Sequence, residues 1–106
     1  MLIAITSLGP NLDSLIDPRF GRAAYFLILN EKGKLLKSLK NPGNEAVRGA
    51  GVFAGQMIID EKADVVITHN IGPNALRVLE SSKVEMFLVE ENLTAKKAFQ
   101  KYQDEH

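Results

Sequence analysis

Two hydrophobic rhythms divide the chain. Leu2–Thr6 is apolar or β-branched throughout and predicts a central strand. From Ser7 the pattern breaks into a polar segment holding Gly9, Pro10, Asn11, Asp13, Asp17 and Pro18. A stretch of about fifteen residues without periodicity is uncommon inside a compact domain and often functional. Tyr25–Asn30 and Lys34–Leu39 are the next predicted strands, and Glu31-Lys32-Gly33 between them supplies a glycine for the turn of a β-hairpin. Asn41-Pro42-Gly43-Asn44 is a loop.

The second rhythm is helical. Gly49-Ala50-Gly51 opens a predicted helix running to about Glu61, with Val52, Phe53, Met57, Ile58 and Ile59 as its apolar positions. Val65, Val66 and Ile67 form a buried strand that runs into His69, Asn70, Ile71, Gly72 and Pro73. Pro73 suits the first turn of a helix, where its missing N–H has no intrahelical partner. Leu76 and Leu79 mark the expected inner face of that helix, which ends near Ser82. Val84–Val89 reads as one more buried strand. Thr94 then caps a last helix whose Ala95, Ala98, Phe99 and Tyr102 fall at i, i+3, i+4 and i+7.

The resulting order, βββαβαβα, is α/β. The hairpin requires antiparallel pairing and the later βα units require parallel pairing with crossovers, so a mixed five-stranded sheet with helices on its faces is expected. In such sheets ligands collect outside the carboxyl ends of the parallel strands, where strand order reverses. Three segments lead away from that edge: the loop ending at Arg22, the loop 41–51, and His69–Asn74. They come from distant parts of the chain and are expected to converge.

Composition narrows the functions open to such a domain. A chain of 106 residues predicts one domain, 1–106, burying roughly 65% of its unfolded surface. Formal net charge is zero, which gives no global pull toward nucleic acid or an anionic membrane; the first half carries +3 and the second −3, too little for a polyanion groove. With no cysteine there is no disulfide, thiolate ligand or cysteine nucleophile. No apolar run approaches the ~18 residues of a membrane span, and the N-terminus reads as a strand without a basic leader. The expectation is a cytoplasmic protein with neither membrane nor nucleic-acid partner.

The candidate chemistry lies in the three convergent segments. A buried strand that turns tightly into a helix leaves backbone N–H groups pointing outward, and with the helix dipole they favour an anion; Asn70 or Gly72 stands just before that helix. The first turn at Gly49 and Gly51 offers more uncovered N–H groups. Arg19 and Arg22, on either side of Phe20 and Gly21, could fork a phosphate, carboxylate or anionic cluster. They could equally pair with Asp17 or Asp13 to hold the long loop. Phe20 is a plug for the core or a stacking platform. His69 is the one mid-chain imidazole and a candidate metal ligand, against the plainer reading of a hydrogen-bonded histidine, whereas His106 reads as a frayed end. Asn70 and Asn74 either donate amides to a ligand or serve the turn.

Catalysis finds little support. Leu2–Thr6 carries none of the carboxylates that a two-metal nuclease places on its central strand. No serine sits in a nucleophile motif. Neither a Walker loop nor a dinucleotide fingerprint occurs, and a basic stripe with interleaved aromatics is also missing.

Three blocks carry a family resemblance: Asp17-Pro18-Arg19-Phe20-Gly21-Arg22-Ala23; Gly49-x-Gly51 with Gln56; and Val65-Val66-Ile67-Thr68 followed by Asn70-Ile71-Gly72-Pro73-Asn74-Ala75. From Leu2 to about Phe99 the chain resembles the dinitrogenase iron–molybdenum cofactor biosynthesis family, small NifX-like proteins and the domains attached to cofactor-assembly proteins of nitrogen fixation. The resemblance implies a three-layer, ribonuclease-H-like fold with strand order 3-2-1-4-5 and strand 2 antiparallel. It also implies that an iron–sulfur or iron–molybdenum cluster is held and carried between metal-cofactor assembly proteins. The expected function is a non-enzymatic carrier of such a cluster, or of another small anionic ligand. Its expected site comprises Arg19, Phe20, Gly21, Arg22, Gly49, Gly51, His69, Asn70, Gly72 and Asn74. The alternative is an interaction or regulatory module that docks on an assembly protein and holds no ligand itself.

Overall fold

Strand periodicity builds the centre of the molecule. A computed structural model describes residues 1–45 and 48–106; Ala46 and Val47, within the expected loop 41–51, lie outside the described residues. Strands β1 (Leu2–Ser7), β2 (Tyr25–Asn30), β3 (Leu35–Lys40), β4 (Val65–Thr68) and β5 (Glu85–Leu88) form one sheet in the order β3-β2-β1-β4-β5. β1 pairs antiparallel with β2 from Leu2↔Asn30 to Ser7↔Tyr25, and parallel with β4 from Ile3↔Val65. The pair β2–β3 is antiparallel and β4–β5 parallel. The expected mixed α/β sheet and its strand order are therefore present.

Alternate side chains of each strand face opposite layers. Ile3, Ile5, Leu27, Leu29, Val65 and Ile67 pack against helix α3 (Ala95–Glu105) through Ala95, Ala98, Phe99 and Tyr102. Ala4, Phe26, Ile28 and Val66 face the opposite way, toward Ala54 and Ile58 of helix α1 (Ala50–Asp60) and Ala75 and Leu79 of helix α2 (Pro73–Ser81). Two expectations need correction here. The inner face of α2 is Ala75 and Leu79, four apart, while Leu76, a further 100° around the helix, is exposed. The expected buried strand 84–89 is the four-residue edge strand β5, and its Leu88 is 58% exposed because no strand lies beyond it.

Strand polarity dictates which loops meet. β1, β3, β4 and β5 all end at one edge, where the antiparallel β2 begins. The loops 8–24, 69–72 and 89–94, with the described residues 41–45 and 48–49, therefore share that rim. Chain order reverses there between β1 and β4, the position at which α/β sheets open a crevice. No helix among the described residues is long and apolar enough to cross a membrane.

Candidate functional site

The long loop after β1 is shaped by a buried charge. The fully buried Asp17 carboxylate accepts the backbone N–H groups of Arg19 at 3.1 Å and Ala24 at 3.1 Å. It also accepts from the Arg19 guanidinium, at 3.3 Å from Nε and 3.4 Å from Nη2. A buried carboxylate without such donors is strongly disfavoured, so these bonds fix the course of the chain from 17 to 24. Thr6 Oγ1 lies 2.7 Å from the Asp17 carbonyl oxygen and 2.7 Å from Thr68 Oγ1, which ties the loop to the ends of β1 and β4. Pairing with Asp17 holds the loop, as one sequence reading allowed, yet the Arg19 side chain remains 62% exposed.

Backbone contacts then draw the segments together. Asn70 donates its N–H to the Pro18 carbonyl at 3.0 Å, and Phe20 donates to the Asn70 carbonyl at 3.1 Å, a parallel bridge between the loop and the β4–α2 corner. A Cβ on Gly21 would stand 3.0 Å from Cα and N of Gly51, and one on Gly51 would stand 3.3 Å from Cβ and N of Ala75. A side chain at either position would force its neighbour back by a few tenths of an ångström, so glycine suits this close approach. The sequence Gly21, Gly51, Ala75 is thus a line of contact across three segments. Asn41, buried, donates its side-chain amide to the Gly21 carbonyl at 3.1 Å and accepts from Gly43 N–H at 3.1 Å.

These contacts frame an open hollow of about 380 Å³, within the ordinary range for a small-ligand site. Of the expected residues, Arg19, Phe20, Gly21, Arg22, Gly49, Gly51, Asn70, Gly72 and Asn74 line it, together with Arg48, Ala50, Pro73 and Ala75. No carboxylate lines it among the described residues. Phe20 is almost wholly buried and packs on Phe26 at 5.5 Å between ring centroids, so it anchors the loop more than it faces a ligand. Arg22 donates from Nη1 to the Asn44 carbonyl at 3.2 Å.

Helix α1 starts at Gly49, whose φ of 75° is left-handed, and α2 starts at Gly72. Neither glycine has a side chain to accept a first-turn N–H, so both helix starts meet the hollow without a capping side chain.

His69 stands apart from this group. It is absent from the lining; its Nδ1 is 2.7 Å from the Val89 carbonyl oxygen and its Nε2 is 3.4 Å from Glu91. A carbonyl only accepts, so Nδ1 carries the proton and the ring is oriented toward the β5–α3 loop. Among the described residues no group of three or more His, Asp or Glu side chains could hold a metal ion. Arg48, by contrast, lines the hollow although it is outside the expected site; its one sequence signal is that it directly precedes Gly49. All four arginines of the chain belong to this rim: three line the hollow, and Arg77 donates to Asn74 Oδ1. None of the nine lysines lines it.

The fold and the hollow define an open α/β domain with a basic, amide-rich recess at its switch point. Residues 1–105 match the sequence model of the family described as Dinitrogenase iron-molybdenum cofactor, and the chain belongs to that family. Among solved structures it is similar to the apo form of the orange protein from Desulfovibrio gigas, with 34% identity and a TM-score of 0.92 over 98% of this chain and 88% of that one. It is also similar to a candidate NifB protein from Thermotoga of the DUF35 family, with 29% identity and a TM-score of 0.83 over 97% and 87%. A curated relative, an uncharacterized protein of Methanocaldococcus jannaschii, is 25% identical over 75 residues, which are 68% of this chain and 64% of the relative's length.

Proposed function

We propose that this protein is a non-enzymatic carrier that holds an anionic iron–sulfur or iron–molybdenum type cluster, or another small anion, in the hollow at the carboxyl edge of the sheet. The observation that carries this reading is the convergence of Arg19, Arg22 and Arg48 with two helix N-termini on a recess that no carboxylate lines among the described residues. Each such donor favours negative charge, and arginine's planar fork suits the paired edge atoms of an oxyanion or a cluster. The donor set has no thiolate, and His69 lies outside the recess. The cargo is therefore held by charge and hydrogen bonds on its outer atoms. Part of the same reading is the ribonuclease-H-like classification, which the strand order supports, and delivery of the cargo to a metal-cofactor assembly protein, which family membership supports.

The test is anaerobic incubation of the protein with iron, molybdate and sulfide, followed by desalting, absorption spectroscopy and metal analysis. A stoichiometric chromophore that the double variant Arg19→Ala/Arg22→Ala fails to retain is the expected result. A protein that emerges colourless and metal-free leaves the docking module, which holds no cargo of its own, as the better reading.

A further inference from the structure

Asn74 is the second residue of α2, two positions beyond the cap residue Gly72, so its side-chain oxygen does not stand where it could cap the helix N–H groups. That oxygen is engaged elsewhere. Arg77, one turn further along the helix, donates from Nη2 to Asn74 Oδ1. A guanidinium has five donors and no acceptor, so the atom it meets is the amide oxygen and not the nitrogen. With Oδ1 occupied, the remaining polar atom of a side chain that lines the hollow is the Nδ2 amino group, a donor only.

We infer that Arg77 is a positioning residue that fixes the orientation of the Asn74 amide, so that Asn74 presents its N–H donors to an anion in the hollow and withholds its acceptor. Left to rotate, the amide would offer its oxygen to the site half-way round, and an acceptor beside an anion is repulsive. Arg77 thereby makes the α2 side of the recess selective for anions without itself lining it. The inference rests on the anion-binding reading above and adds to it the residue that sets the polarity of one wall.

Titration of the full chain with molybdate by calorimetry, with a thermal melt of each variant, tests it. Asn74→Ala is expected to weaken binding about tenfold, in keeping with the loss of a hydrogen bond to a charged group, and Arg77→Ala about fivefold. In the Asn74→Ala background, Arg77→Ala is expected to change binding less than twofold. Arg77→Gln, neutral but still able to donate to Oδ1, is expected to stay within twofold of the native protein. Asn74→Asp, which puts an acceptor in place of Nδ2, is expected to lose binding nearly completely while melting within a few degrees of the native protein. A full fivefold loss on adding Arg77→Ala to Asn74→Ala, or equal losses for Arg77→Gln and Arg77→Ala, would mean that Arg77 acts through its charge alone and would overturn the inference. A native protein that binds no molybdate overturns the anion reading and this inference together, and that failure is visible before any variant is made.

Discussion

Three helices begin on the same rim of the sheet, and they treat their first-turn N–H groups in opposite ways. At α3, Thr94 Oγ1 accepts from Lys97 N–H at 3.2 Å, the Ser14 carbonyl accepts from Ala95, and the Leu12 carbonyl accepts from Lys96. That N-terminus is closed, by a capping side chain and by the loop folded over it. At α1 and α2 the cap residues are Gly49 and Gly72, which have no side chain to contribute, and arginines gather in front of them. A terminus with no role beyond stability is sealed from within the chain. Two neighbouring termini left open behind a cluster of positive charge are what an external anion would seal, and the α3 side is the internal control for that claim.

The contrast can be broken most forcefully at its hinge of small residues. Gly51→Val would push a branched side chain into Ala75 and part the two open helix ends. Overpacking of this kind costs about 1–3 kcal/mol, and we expect loss of molybdate binding together with a lower melting temperature. Next is Arg19→Ala/Arg22→Ala, for which anion binding should fall at least about tenfold, given about 1.5–3 kcal/mol for hydrogen bonds to charged groups. The fold should survive, since Asp17 keeps the backbone donors of Arg19 and Ala24. Calorimetry with a parallel circular-dichroism melt separates these two cases. Thr94→Ala gives the reverse signature: about 1 kcal/mol of stability lost in denaturant titration with no change in anion affinity.

The smallest expected effect lies outside both regions. The Lys101 ammonium, bonded to Glu90 and attracting its charge, holds the Glu90 carboxyl below the ordinary glutamate range. A carboxyl lowered in the folded state contributes stability above its unfolded pKa and loses it as pH falls through the folded one. Glu90 is exposed, so the contribution is slight and screened by salt. Lys101→Met should remove a shallow, salt-sensitive part of the acid dependence of unfolding and leave anion binding untouched, as pH-dependent melts at two ionic strengths would report.

Much of this arrangement was legible in the residues because it rests on local chemistry. Short apolar, β-branched runs mark the strands, Pro73 and Thr94 mark two helix starts, and the mix of parallel and antiparallel connections marks the rim where loops meet. What the residues leave open depends on distant partners. Asp17 and Asp13 are equal candidates to hold the loop until the fold buries Asp17 and supplies it with four nitrogen donors. Leu76 and Ala75 differ by one position on a helix, and only the sheet beneath decides which turns inward. Arg48 belongs to no resembling block, and its signal was its place immediately before an uncapped glycine start. His69 is the one mid-chain imidazole, but a side chain just past a strand end leans to one face, and here it leans toward Val89 and Glu91.

Amide chemical shifts during an anion titration address the central claim most directly. In a nitrogen-15 labelled sample titrated with molybdate, the backbone N–H resonances of Ala50, Gly51, Val52, Asn74 and Ala75 should move together along one saturating curve, while those of Lys96 and Lys97 stay still. Shifts that are absent at the α1 and α2 termini, or that are as large at the start of α3, would contradict the account.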